Sequence, residues 1–227
     1  MRETRRHLAR TFLAGVFIAL AAPFATMYSV ASENLEAGAA HPLLFGTREV
    51  RSATLTKFSK WTGVIARYES ELHARRQKCR VSRVNTCALE RWEGFLEDIA
   101  DLPRREQIEK VNVYVNERVY IVDPVNYGIK DYWATPREFF DRDGDCEDYA
   151  ISKYISLRAL GMPVSDMRIV VLNDLNLKIA HAVLVVYLDG EALILDNQIS
   201  QVINADRIRH YKPIYSINEK NWWLHRG

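Results

Sequence analysis

Asp143-Gly144-Asp145-Cys146-Glu147-Asp148-Tyr149-Ala150 sets one cysteine among four carboxylates, just ahead of a helical repeat of apolar residues. Ala150, Ile151, Tyr154, Ile155, Leu157 and Leu160 recur at helical spacing, and Gly161 with Pro163 stops the run. The spacing predicts Cys146 in or just before the first turn of that helix. Unpaired amide donors and the helix dipole at that end favour a thiolate and lower its pKa. The same amides can hold an oxyanion on an attacked carbonyl. At about 100° per residue, Asp145, Glu147 and Asp148 share one arc and Cys146 points the opposite way. The carboxylates can then bind a hard cation behind the nucleophile. The plainer reading is a solvated helix start beside a buried structural cysteine. A calcium loop of the EF-hand type counted from Asp141 fails, because Cys146 and Ser152 stand where it needs Gly and Glu.

Downstream, residues 181–188 and 191–195 are apolar runs flanking Asp189-Gly190, a two-residue signal for a tight hairpin. Closing the turn there pairs Leu188 with Glu191 and puts Asp196 opposite Val183. Side chains alternate faces with period 2, so His181, Val183 and Asp196 share a face. His181 and Asp196 become diagonal neighbours, roughly 7 Å apart at the backbone and within side-chain reach. A carboxylate there can hold one imidazole nitrogen and leave the other for a thiol. Cys146, His181 and Asp196 are thus candidates for a nucleophilic triad. Each alone has an ordinary structural reading; the hairpin geometry argues for them together.

The remaining chain supports one domain. Residues 49–110 read as mainly helical, with Phe58, Trp61, Ile65, Leu72, Trp92, Phe95 and Leu96 as apolar anchors, and 107–120 continues that lobe. Pro136 opens a short helix over 137–140. Residues 167–172, 181–188 and 191–195 are expected to form an antiparallel sheet behind the cysteine helix, with 173–178 a polar loop. Helices followed by sheet give an α+β class. Net charge is +2 with 26% charged residues, which is ordinary for a globular chain. The basic run at Arg75, Arg76, Lys78 and Arg80 lies near Glu69 and Glu71 and reads as a solvated helix face, not a nucleic-acid site.

Gly144-Asp145-Cys146-Glu147-Asp148-Tyr149-Ala150, Ala180-His181-Ala182-Val183-Leu184 and Leu195-Asp196-Asn197 resemble the bacterial transglutaminase-like cysteine proteinases. Among these the likeness is to the LapG-type periplasmic adhesin proteases. Leu44-Phe45-Gly46-Thr47 and residues 131–136 carry the resemblance upstream, so that it covers roughly 43–225. It implies a papain-like, transglutaminase-like α+β fold with a helical N-terminal lobe. It implies a Cys146-His181-Asp196 triad, and calcium (Ca2+) bound by Asp145 and Glu147 with Asp148 a third candidate. The function implied is a calcium-dependent endopeptidase that cleaves the N-terminal region of a large surface adhesin and releases biofilm. It also implies an inhibitor, the periplasmic domain of an inner-membrane cyclic-di-GMP receptor. Two other readings stand beside it: a transglutaminase-type acyl transferase, and a non-catalytic calcium-dependent binding module.

The N-terminus agrees with an exported chain. Arg2, Arg5, Arg6 and Arg10 precede the apolar run from Phe12 to Ala22, and Ser29-Val30-Ala31 reads as a small-x-small cleavage signal. The run is about half the ~20 residues that span a bilayer. Residues 1–31 are therefore expected to be a cleaved export signal and 32–227 a single periplasmic protease domain. Of the three cysteines, Cys79 and Cys87 can pair in an oxidising compartment and leave Cys146 free.

Overall fold

The computed structural model describes residues 41–74 and 87–227; the expected export signal, the basic run and Cys79 lie outside them. Its frame is one antiparallel sheet of seven strands: β1 (Arg48–Ser52), β2 (Met167–Asp174), β3 (Ile179–Leu188), β4 (Glu191–Leu195), β5 (Ile203–Asn204), β6 (Tyr211–Ile217) and β7 (Trp222–Arg226). Their spatial order is β1-β7-β6-β2-β3-β4-β5. Among the described residues six α-helices accompany it: α1 (Ser59–Ala74), α2 (Ala88–Ile99), α3 (Arg104–Asn116), α4 (Asp123–Asn126), α5 (Pro136–Arg142) and α6 (Cys146–Ala159). The α+β class is as the sequence predicts.

The central strands explain their own composition. In β3, Leu184 and Val186 join the helix-covered core, while Val183, Val185 and Tyr187 join a second cluster with Leu44, Ala205 and Ile208. A strand buried on both faces has no polar alternation, so it reads as a continuous apolar run. Helix α6 is equally enclosed: every residue from Asp148 to Leu157 is buried, between β3 on one side and α3 on another. A helix covered all round has no polar stripe. Helix α5 begins with Thr135 accepting the Glu138 N–H (3.3 Å) while Glu138 accepts the Thr135 N–H (2.8 Å), a capping box followed by Pro136.

Three features depart from the sequence reading. Residues 49–52, read within a helical region, belong to the edge strand β1 on β7. Its Glu49 ion-pairs with Arg168 of β2 at 2.6 Å, and that guanidinium lies 3.7 Å from the Trp223 ring centroid. Leu72, taken as an anchor, is 40% exposed, whereas Trp61 and Trp92 are buried. Strands β6 and β7 were not anticipated. Pro213 sits opposite Leu172 next to a register shift, and β7 pairs only with 215–217, so the missing N–H falls where no ladder bond is needed.

Glu49 and Arg168 are both nearly enclosed, so breaking the pair strands a buried charge. Glu49→Ala should destabilise the protein by roughly 3–5 kcal/mol, read from denaturant midpoints. A change within about 0.5 kcal/mol, the usual surface value, would show the pair to be solvated.

Candidate active site

Cys146 is the first residue of α6, and the turn before it is held from several sides. Asp143 has φ 64°, an unusual value for a side chain with a Cβ. Arg118 ion-pairs with its carboxylate at 2.6 Å, and Asn126 donates to its carbonyl at 3.0 Å. The Ile121 N–H donates to the Gly144 carbonyl at 2.9 Å, and Tyr149 OH donates to the Arg118 carbonyl at 2.5 Å. Gly144 is required by contact: a Cβ there would lie 2.2 Å from Asp148 Oδ2. Asp148 uses both oxygens on backbone, accepting from Ala134 N–H (2.7 Å) and Asp145 N–H (3.2 Å).

The hairpin has the predicted register, with Leu188 opposite Glu191 and Leu184 opposite Leu195. It brings His181 Nε2 to 2.9 Å from Asp196 Oδ1, both side chains buried. The other oxygen, Oδ2, accepts from Tyr211 OH at 2.5 Å, and the Gln198 N–H donates to Oδ1 at 2.9 Å. Asn116 of α3 holds the Asp196 carbonyl at 2.8 Å. Burial pushes the Asp196 carboxyl up, but the His181 bond and charge, with the other two donors, hold it below the usual range. With Nε2 committed to Asp196, Nδ1 is the ring nitrogen open to another group. Helix α6, which begins at Cys146, packs against β3, and the backbone of Ala182, next to His181, favours the Cys146 thiolate.

The acidic cluster differs from expectation in two ways. Cys146 does not point away from the carboxylates: its Sγ lies 3.1 Å from Glu147 Oε2, because Glu147 folds back along the first turn. The thiol pKa is consequently pushed up, by burial first and then by the Glu147 and Asp145 charges, not lowered by the helix end. The cluster also recruits two residues outside the motif. Asp123, Asp131 and Glu147 bring carboxylate oxygens within 4.8 Å of one another, and so do Asp123, Asp145 and Asp148. Burial, then the Glu147 hydrogen bond and charge, raises Asp145 to about 8. Burial, against the Tyr132 N–H, raises Asp123 to about 6, with Asp145 and Asp131 adding to the rise. Glu147 is also raised by burial.

The donor set suits a hard divalent cation. Asp123 Oδ1 and Asp145 Oδ1 are buried without a hydrogen-bond partner among the described residues, where all candidate ligands except Cys146 are oxygens. Asp145 and Glu147 lie in this cluster with Asp123 and Asp131 beside them, and Asp148 is occupied by backbone. Asp131-Tyr132-Trp133 carried part of the family resemblance, but nothing in the spacing linked Asp131 or Asp123 to Cys146. Tyr211 carried no local signal at all. Trp133 is a core residue against Trp61, with ring centroids 6.4 Å apart. Cys87 is in a disulfide and Cys146 is a free thiol.

Residues 76–225 match the family described as bacterial transglutaminase-like cysteine proteinase. Among solved structures, Legionella pneumophila LapG is 33% identical over 70% of this chain and 87% of its own, with a TM-score of 0.57. Its calcium-bound form gives the same figures. Its EGTA-treated form has the same identity and TM-score and is covered over 84% of its length. No curated protein gives a match.

The raised carboxyls fix a pH dependence for the metal-free protein. Unfolded carboxyls titrate near about 4, whereas Asp123 and Asp145 titrate at about 6 and about 8 when folded. Between those limits the folded state holds more protons, so this contribution is complete below the unfolded pKa and is lost as pH rises through the folded values. Chelated and desalted protein should lose melting temperature as pH rises through that window. Asp145→Asn should flatten the upper part of the slope; an unaltered slope in that variant would exclude Asp145 as its source.

Proposed function

Since the chain belongs to the bacterial transglutaminase-like cysteine proteinases, we propose that it is a calcium-dependent endopeptidase working through Cys146, His181 and Asp196. The observation that carries this is the buried His181–Asp196 pair, 2.9 Å apart, with His181 on β3, the strand against which the Cys146 helix packs. Cys146 attacks the scissile carbonyl after giving its proton to His181, and His181 returns that proton to the leaving amine. Water then attacks the thioester carbon, passes a proton to His181 and releases the acid as the C–S bond breaks. Asp196 holds the imidazole in one tautomer and balances its charge, with Tyr211 holding Asp196 in turn.

Asp123, Asp131, Asp145 and Glu147 are the residues that would hold calcium. A divalent cation there would offset carboxylate repulsion and lower the cost of a thiolate next to Glu147. The calcium-bound and EGTA-treated forms of Legionella LapG support this assignment by similarity. The substrate proposed is the N-terminal region of a large surface adhesin, and the regulator an inner-membrane cyclic-di-GMP receptor that sequesters the enzyme. Both rest on the family resemblance. The arginine-rich start and short apolar run of residues 1–31 support export to the periplasm.

Incubating the protein with the N-terminal fragment of a co-encoded adhesin tests this directly. Cys146→Ala should abolish cleavage with the fold retained, and Asp196→Asn should reduce it by on the order of 10²–10⁴. EGTA should stop cleavage and added calcium restore it, with Asp123→Asn and Asp145→Asn weakening the calcium response. Cleavage at the wild-type rate by Cys146→Ala would sink the mechanism. Full activity in protein shown by elemental analysis to be metal-free would remove calcium from it.

A further inference from the structure

Helix α1 grips the segment that orients the acidic cluster, and the mechanism gives that grip no part. Arg67 of α1 donates through Nη2 to the Trp133 carbonyl at 2.5 Å and to Glu138 Oε2 at 3.3 Å. Its guanidinium lies 4.9 Å from the Tyr132 ring centroid. Glu138 is itself fixed: Oε1 accepts from Tyr132 OH at 2.7 Å, and Oε2 accepts from the Thr135 N–H at 2.8 Å. On either side of Trp133 the backbone turns to the acids. The Tyr132 N–H donates to Asp123 Oδ2 at 2.5 Å, and the Ala134 N–H to Asp148 Oδ1 at 2.7 Å. Asp131 opens the same segment. One short stretch thus carries one candidate calcium ligand and orients another, leaving Asp123 Oδ1 buried and unpartnered among the described residues. Arg67 precedes residues 76–225, the stretch matched to the family.

We propose, on the calcium reading above, that Arg67 is a positioning residue that sets calcium affinity by holding residues 131–134 in place. Carboxylates gathered without a cation repel one another, so an empty site relaxes by moving whichever ligand segment is least tied. Drawing that segment back on binding subtracts from affinity. Asp145 and Glu147 stand on the turn that Arg118, Asn126 and Asp148 hold, whereas Asp131 and the orientation of Asp123 depend on residues 131–134. Arg67 ties a carbonyl, a ring and a carboxylate of this region through one planar guanidinium, which a lysine ammonium does not reproduce. Positioning and charge predict opposite signs. As a charge alone Arg67 repels calcium, so its removal would tighten binding. As a clamp its removal weakens binding.

The test titrates calcium into EGTA-stripped, desalted protein by calorimetry, with the melting temperature of the metal-free form measured alongside. Arg67→Met should weaken calcium binding by roughly 10–100-fold, the usual effect of losing a partner behind the ligands. The metal-free melting temperature should stay near wild type, because the Arg67 side chain is 38% exposed. Arg67→Lys keeps the charge and should still weaken calcium binding; it serves alone should the methionine variant not fold. Unchanged or tighter calcium binding in these variants overturns the proposal and leaves the calcium site standing. No calcium binding by the wild type, or wild-type affinity in Asp145→Asn, overturns the calcium reading and this inference with it.

Discussion

One buried carboxylate holds the reactive end of the molecule together. Asp148 accepts the N–H groups of Ala134 and Asp145, and Gly144 packs so closely on it that a methyl group would not fit. Through Ala134 it anchors the segment that carries Asp131 and Trp133 and leads into α5. Through Asp145 it fixes the first turn of α6, and with it the direction of Cys146. Burying a carboxylate is costly unless its oxygens are satisfied, and here each has a backbone donor. Asp148 therefore acts as a structural clamp, and the ligands of a cation are left to its neighbours.

Those neighbours are in electrostatic conflict. Asp123, Asp145 and Glu147 are all raised by burial, and the Cys146 thiol with them. A site in which thiol and carboxyls all resist ionisation is poor for nucleophilic chemistry, and a bound cation reverses each of these tendencies at once. Charge at the carboxylates and charge at the thiol are thus one problem. The opposite holds a short distance away, where Asp196 has three donors and sits below the usual carboxylate range. The thiol side resists ionisation, while the imidazole side already holds its anion.

Much of this was legible in the sequence where the determinants are local. The run from Ala150 to Leu160 defines α6, and the Asp189-Gly190 turn sets the β3–β4 register, so the meeting of His181 and Asp196 followed from counting residues. The α+β class followed from the same patterns. Strand β6 was not legible, because Pro213 argues against a strand until it is known that β6 pairs on one side only at that residue. Nor was β1, a charged five-residue strand that pairs with β7 at the far end of the chain.

The sequence by itself determined which residue types stand ready: a cysteine at a helix start, a histidine and an aspartate on one face of a hairpin, and a dense run of acids. Tertiary structure alone decided how those acids are used. It turned Glu147 towards the thiol, committed Asp148 to the backbone, and brought Asp123 from 22 residues away against Asp145. It also set Tyr211 against Asp196 and buried Lys153 within α6. Periodicity reports which face a side chain occupies. Pairings between distant segments depend on how the faces pack, and burial then sets the charge each group can carry.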